Sequence, residues 1–102
     1  VSALELPEYR LPGTTYLVER DGWVKVGATR HLTTRLAALR EPRGTVHMPE
    51  GMDPTGPLVL LATVSGNVER YLHRRWAHLR GTGEWFRPDA EMRADIESLA
   101  SA

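Results

Sequence analysis

Thr14-Thr15-Tyr16-Leu17-Val18-Glu19-Arg20-Asp21-Gly22-Trp23-Val24-Lys25-Val26-Gly27-Ala28 is the stretch from which the rest of this 102-residue chain can be read. Its β-branched and aromatic residues flank Asp21-Gly22, a pair that tolerates the left-handed backbone of a two-residue hairpin turn. Two antiparallel strands are expected, about 14–20 and 23–28. Tyr16 and Lys25 can then meet on one face of the sheet.

Outward from the hairpin, Leu32, Leu36 and Leu39 fall at helical spacing. With Thr29 as a candidate N-cap they predict a short amphipathic helix through about Arg40. Residues 1–13 hold Pro7, Pro12 and Gly13 without periodicity and read as an extended N-terminal arm, so residues 14–102 form the folded domain. Seven of the seventeen positions in 41–57 are Pro or Gly, the composition of a binding loop or an excursion from the fold. Leu58 to Val64 is a near-continuous apolar run, expected as a central strand buried on both faces. Asn67 suits a cap, and Val68, Tyr71, Leu72, Trp76 and Leu79 form a helical stripe after it. Glu84-Trp85-Phe86 reads as a short strand, and Pro88 to Leu99 as a final helix with acidic residues near its start.

Composition narrows the function classes. With 41% hydrophobic and 25% charged residues the chain has the makeup of a folded domain, not of a disordered or collagen-like one. No apolar run nears the roughly 20 residues that cross a bilayer, so no membrane role is expected. The opening Val1-Ser2-Ala3-Leu4-Glu5 lacks a secretory pattern and there is no cysteine, which points to a cytoplasmic setting without disulfides or thiolate metal sites. Thirteen basic residues balance thirteen acidic ones, which argues against coating nucleic acid by bulk charge. The charges are segregated, however. Residues 20–43 carry six basic against two acidic side chains, and 67–80 four arginines against Glu69, while the segment after 80 is acidic. Arg30 in the first basic segment and Arg70, Arg74 and Arg75 in the second are candidate nucleic-acid contacts.

Phosphodiester cleavage needs a base, positive charge for the transition state, and a hard cation held by oxygen. Tyr16, Lys25, Arg35 and Glu69 supply those types, and Lys25, Arg35 and a bound cation together are expected to lower the Tyr16 phenol toward neutrality. Their order carries further information. Thr14-Thr15-Tyr16, nine residues, then Lys25-Val26-Gly27 resembles the paired-strand signature of the GIY-YIG nuclease superfamily. Arg35-Leu36 on the first helix, Glu69 on the second, and the closing Gly83-Glu84-Trp85-Phe86 resemble its phage and bacterial branch, with Lys in the second motif and a C-terminal Glu-Trp-Phe segment. The match spans about residues 14–86.

The resemblance implies a small α+β fold, a three-stranded antiparallel sheet flanked by helices. It implies Tyr16 as general base, Lys25 in place of the second-motif tyrosine, Arg35 on the scissile phosphate, and Glu69 as sole protein ligand of Mg²⁺ or Mn²⁺. His31 and His73 are possible auxiliaries, because position 39 is Leu where many members have His or Tyr. The expected activity is metal-dependent endonucleolytic hydrolysis of DNA, with specificity supplied by the 41–57 loop, the arm, or a fused or partner domain. The alternatives are a nucleic-acid-binding module of the same fold that cleaves weakly or not at all, and a protein-interaction domain.

Overall fold

The computed structural model describes residues 3–41 and 48–101. Strands β1 (Leu11–Arg20) and β2 (Trp23–Thr29) form the expected hairpin. Asp21 and Gly22 take φ of 52° and 79° at its turn. Tyr16 stands opposite Gly27 and Val18 opposite Lys25, so Tyr16 and Lys25 do share a face. The first strand begins three residues before the expected boundary, because Leu11 pairs with Asn67 and draws the end of the arm into the sheet.

The remaining strands are β3 (Val59–Asn67) and β4 (Trp85–Phe86), giving a four-stranded antiparallel sheet in the order β3-β1-β2-β4. This corrects two expectations. The sheet has four strands instead of three, the fourth being the short 85–86 strand that the residues themselves suggest. The apolar run after Pro57 is not central either: β3 is an edge, and Val59 and Leu60 are 50% and 41% exposed. The interior positions belong to β1 and β2, and Thr15, Tyr16, Leu17 and Val18 of β1 are fully buried between two strands and two helical layers.

Three helices complete the α+β fold: α1 (Leu32–Arg40), α2 (Glu69–Arg75) and α3 (Ala90–Ser101). On one face of the sheet α2 and α3 pack Leu72, Trp76, Met92, Ile96 and Leu99 onto Leu17, Val24, Val26, Ala62, Val64 and Phe86. On the other, α1 packs buried Leu36 and Leu39 and half-buried Leu32 onto Tyr16 and Val18. Thr29 does not cap α1 directly; its hydroxyl accepts the His31 N–H at 3.0 Å, just ahead of the helix. The expected helix over 68–79 breaks at Trp76 and continues as a 3₁₀ turn at Ala77–Leu79. Asp95 anchors this break, accepting from Arg75 Nε at 2.9 Å and from Trp76 Nε1 at 3.0 Å.

Buried Arg20 ties the hairpin to α1 and to the segment before β3. Its Nη1 donates to the Leu39 carbonyl at 3.1 Å and its Nε to the Gly56 carbonyl at 3.0 Å. The end of the 41–57 segment is thereby tied to the sheet, while residues 42–47 lie outside the described residues. No described helix is long and apolar enough to cross a membrane.

Candidate functional site

The site begins where β4 stops. On β2 that strand reaches only Val24 and Lys25, so the outer edge of β2 beyond Lys25 needs other partners for its backbone groups. The Val26 N–H donates to the Glu84 main-chain carbonyl at 3.1 Å. The Val26 carbonyl accepts from His73 Nε2 at 2.8 Å. The Ala28 backbone, next along this edge, lies close enough to the Glu69 carboxyl to favour its charged form. Completing one strand edge therefore draws Glu69 and His73, one helical turn apart on α2, beside Glu84.

Glu69 is set at the start of α2 by two local hydrogen bonds. The N-cap position is Val68 and not the expected Asn67, whose side-chain oxygen instead accepts the Glu69 N–H at 3.1 Å from one position ahead of it, and buried Thr15 accepts the Val68 N–H at 2.8 Å. His73 Nε2 lies 3.7 Å from Glu69 Oε1. Across the sheet edge, Lys25 Nζ donates to Glu84 Oε2 at 2.7 Å and lies 5.7 Å from the centroid of the Trp85 ring.

Tyr16 is wholly buried below this cluster, over Gly27. A Cβ on Gly27 would fall 2.6 Å from the phenol Cζ, so that position admits no side chain while the ring stays where it is. Arg35, exposed on α1, donates from Nη1 to the phenol oxygen at 3.4 Å.

Burial pushes the Glu69 carboxyl up, and the hydrogen bond and negative charge of Glu84 add to it. Together they outweigh Lys25 and the Ala28 backbone and bring Glu69 to about 7. Burial pushes Glu84 up too, but Lys25 and the hydrogen bond with Glu69 prevail and hold it below the ordinary carboxylate range. The crowding of the two carboxyls thus favours one shared proton between them below neutrality. Tyr16 departs from expectation. Burial pushes its phenol above the usual value, and Arg35 only partly offsets this. The phenol is therefore protonated at neutral pH.

A groove of about 530 Å³ opens at Glu69, lined by Leu11, Asn67, Glu69, Arg70, His73 and Arg80. It shares Leu11 and Asn67 with a depression of about 340 Å³ that reaches Ala28, Thr29 and Arg30. Thr29 also lines a smaller one, of about 190 Å³, with His31 and Arg35. One track therefore passes Arg80, Arg70, Arg30 and Arg35 with Glu69 on its wall.

The structure brings Tyr16, Lys25, Arg35, Glu69 and His73 together, with Arg30 and Arg70 along the track and His31 beside Arg35. Arg75 is directed elsewhere, onto Asp95 of α3, and exposed Arg74 lines none of these depressions. Glu84 and Arg80 are the site residues that sequence reasoning missed. Both flank the Gly81-Thr82-Gly83 turn, and the only signal for Glu84 was its place in the Glu-Trp-Phe segment. Leu39 is a core residue, 5% exposed against Tyr16 and Val18.

Among the described residues no group of three or more His, Asp or Glu side chains is arranged to hold a metal ion. Glu69 nonetheless fits a hard divalent cation. It is a carboxyl on the groove wall, crowded by a second carboxyl, and a cation would relieve the same crowding that the shared proton relieves. Its remaining ligands would be water and substrate oxygens. No family model, no curated protein and no solved structure matches this chain.

Proposed function

We propose that the chain is a divalent-metal-dependent endonuclease of the GIY-YIG type that hydrolyses DNA in the cytoplasm and leaves a 5′-phosphate. The observation that carries this reading is convergence. Tyr16, Lys25, Arg35 and Glu69 come from four elements, and their side chains gather at one end of the β2 edge beside an arginine-lined groove.

The phosphate backbone runs along the track, held by Arg30, Arg70 and Arg80. Arg35 binds the scissile phosphate, and the buried Tyr16 phenol supports its guanidinium from below. Lys25 contributes positive charge from the sheet face. Glu69 would hold Mg²⁺ or Mn²⁺, which when bound would supply Lewis acidity at the phosphate. The rising limb of cleavage near neutrality follows Glu69, whose proton the cation must displace. His73 orients the Glu69 carboxyl from the next turn.

A specific observation favours one other reading, a nucleic-acid-binding module that does not cleave. The Glu69 carboxyl is already favoured by the neighbouring Ala28 backbone, and Leu39 fills the core where a proton-handling residue would stand.

Incubation of the wild type and Glu69→Gln with supercoiled DNA, single-stranded DNA and RNA, with and without Mg²⁺ or Mn²⁺, separates the two. The enzyme reading expects metal-dependent cleavage of DNA that Glu69→Gln abolishes. Its rising limb should lie near pH 7 and move to lower pH as the metal concentration is raised, since the cation displaces the proton. Binding without cleavage under every condition supports the second reading.

A further inference from the structure

We propose that Glu84, with Trp85 beside it, is the positioning residue that fixes the Lys25 ammonium at the reaction site. This rests on the nuclease reading above. Lysine is a point charge on a flexible four-carbon stem, and it stabilises a developing charge only if the ammonium is held in place. Here both ends of such a clamp are present. The Glu84 carboxylate contacts Nζ at 2.7 Å, the Trp85 ring lies within cation–π range, and the Lys25 side chain is only 13% exposed.

The clamp is itself rigidly mounted. The Gly81 N–H donates to the Trp85 carbonyl at 2.8 Å, the Trp85 N–H to the Thr82 carbonyl at 3.1 Å, and Arg80 Nε to the Gly83 carbonyl at 2.7 Å. Gly83 turns the chain with φ of 61°. The Glu84 main chain is pinned to Val26, one residue beyond Lys25. A carboxylate needed only to neutralise Lys25 would not require this scaffold, whereas one that sets a position does.

Two measurements test the proposal. The first follows Lys25 by NMR and does not depend on activity. Its ε-methylene protons should carry a ring-current shift from Trp85 that collapses toward the free-lysine value in Glu84→Gln and only partway in Glu84→Asp, which keeps the charge on a shorter arm. An unchanged shift in both variants overturns the proposal.

The second is a double-mutant cycle on cleavage. Glu84→Gln should lower kcat at least about tenfold with KM within about twofold, and adding it to Lys25→Met should cost almost nothing more, as for residues that act as one unit. Multiplying losses would mean that Glu84 acts independently of Lys25, and the proposal fails. If the NMR shift collapses while the wild type cleaves no nucleic acid, the positioning stands and the nuclease reading falls.

Discussion

The two faces of the sheet are built to different standards. The face under α2 and α3 is a continuous hydrophobic layer from Leu17 to Leu99, closed by Trp76 and Phe86 in an edge-on ring contact. The face under α1 holds a smaller cluster of Tyr16, Val18, Leu36 and Leu39, and Tyr16 ends in a hydroxyl hydrogen-bonded to an exposed arginine. Beside it Lys25 and Glu84 spend two partly buried charges on each other. A dry face can carry the stability of so small a domain, which frees the other to keep polar groups that a core optimised for folding would exclude.

Substitutions that move stability on one face and chemistry on the other test this division. The largest loss of stability is expected for Leu72→Ala on the dry face, about 2–5 kcal/mol from lost burial and the cavity left behind, read by denaturant unfolding. Gly27→Ala should come next at about 1–3 kcal/mol, because the added methyl collides with the Tyr16 ring and must displace it. Near-wild-type stability in Gly27→Ala would mean that the phenol has room to move.

Glu69→Gln should have a smaller effect whose sign depends on pH. In the folded chain Glu69 keeps its proton up to about 7, against an ordinary value of 4.5. Its favourable contribution is therefore complete below about pH 4.5 and is lost as pH rises through about 7. The amide does not titrate, so the variant should gain on the wild type between pH 5 and pH 8, by about 1 kcal/mol after allowance for solvent screening. Melting curves across that range check it. The smallest stability change, about 0.5 kcal/mol, belongs to Tyr16→Phe, which gives up one long hydrogen bond and keeps the ring. The same variant should lower cleavage about a hundredfold by loosening Arg35, and it should leave the rising pH limb in place.

The hairpin was legible because Asp21-Gly22 and its flanking residues decide it locally. Whether a strand lies at the centre or the edge of a sheet depends on what packs beside it, and the apolar run from Leu58 carries no mark of that. The four candidate chemical residues were legible only as an ordered set resembling a family. Glu84 was not, since its partner Lys25 is 59 positions away and a lone carboxylate after a glycine turn looks like surface. The burial of the phenol was not legible, for a physical reason. Neighbouring charges can be counted from a sequence, but the desolvation that outweighs them comes from Tyr16 lying at the middle of β1.

The outer edge of β3 has a consequence for the chain in concentrated solution. From Val59 to Asn67 it carries no charged residue, the kind of unpaired strand that templates aggregation. Two irregularities interrupt it. Its pairing with β1 slips between Leu17 and Val18 and again at Thr14, leaving an even ladder only over Ala62, Thr63 and Val64. At the far end Arg10 lays its side chain over Gly66 and donates to the Ser65 carbonyl at 2.7 Å, adding a cation to a strand that has none of its own. A neighbouring molecule is thus offered a flat run of about three residues, too short to seed the six- or seven-residue stacks from which fibrils grow.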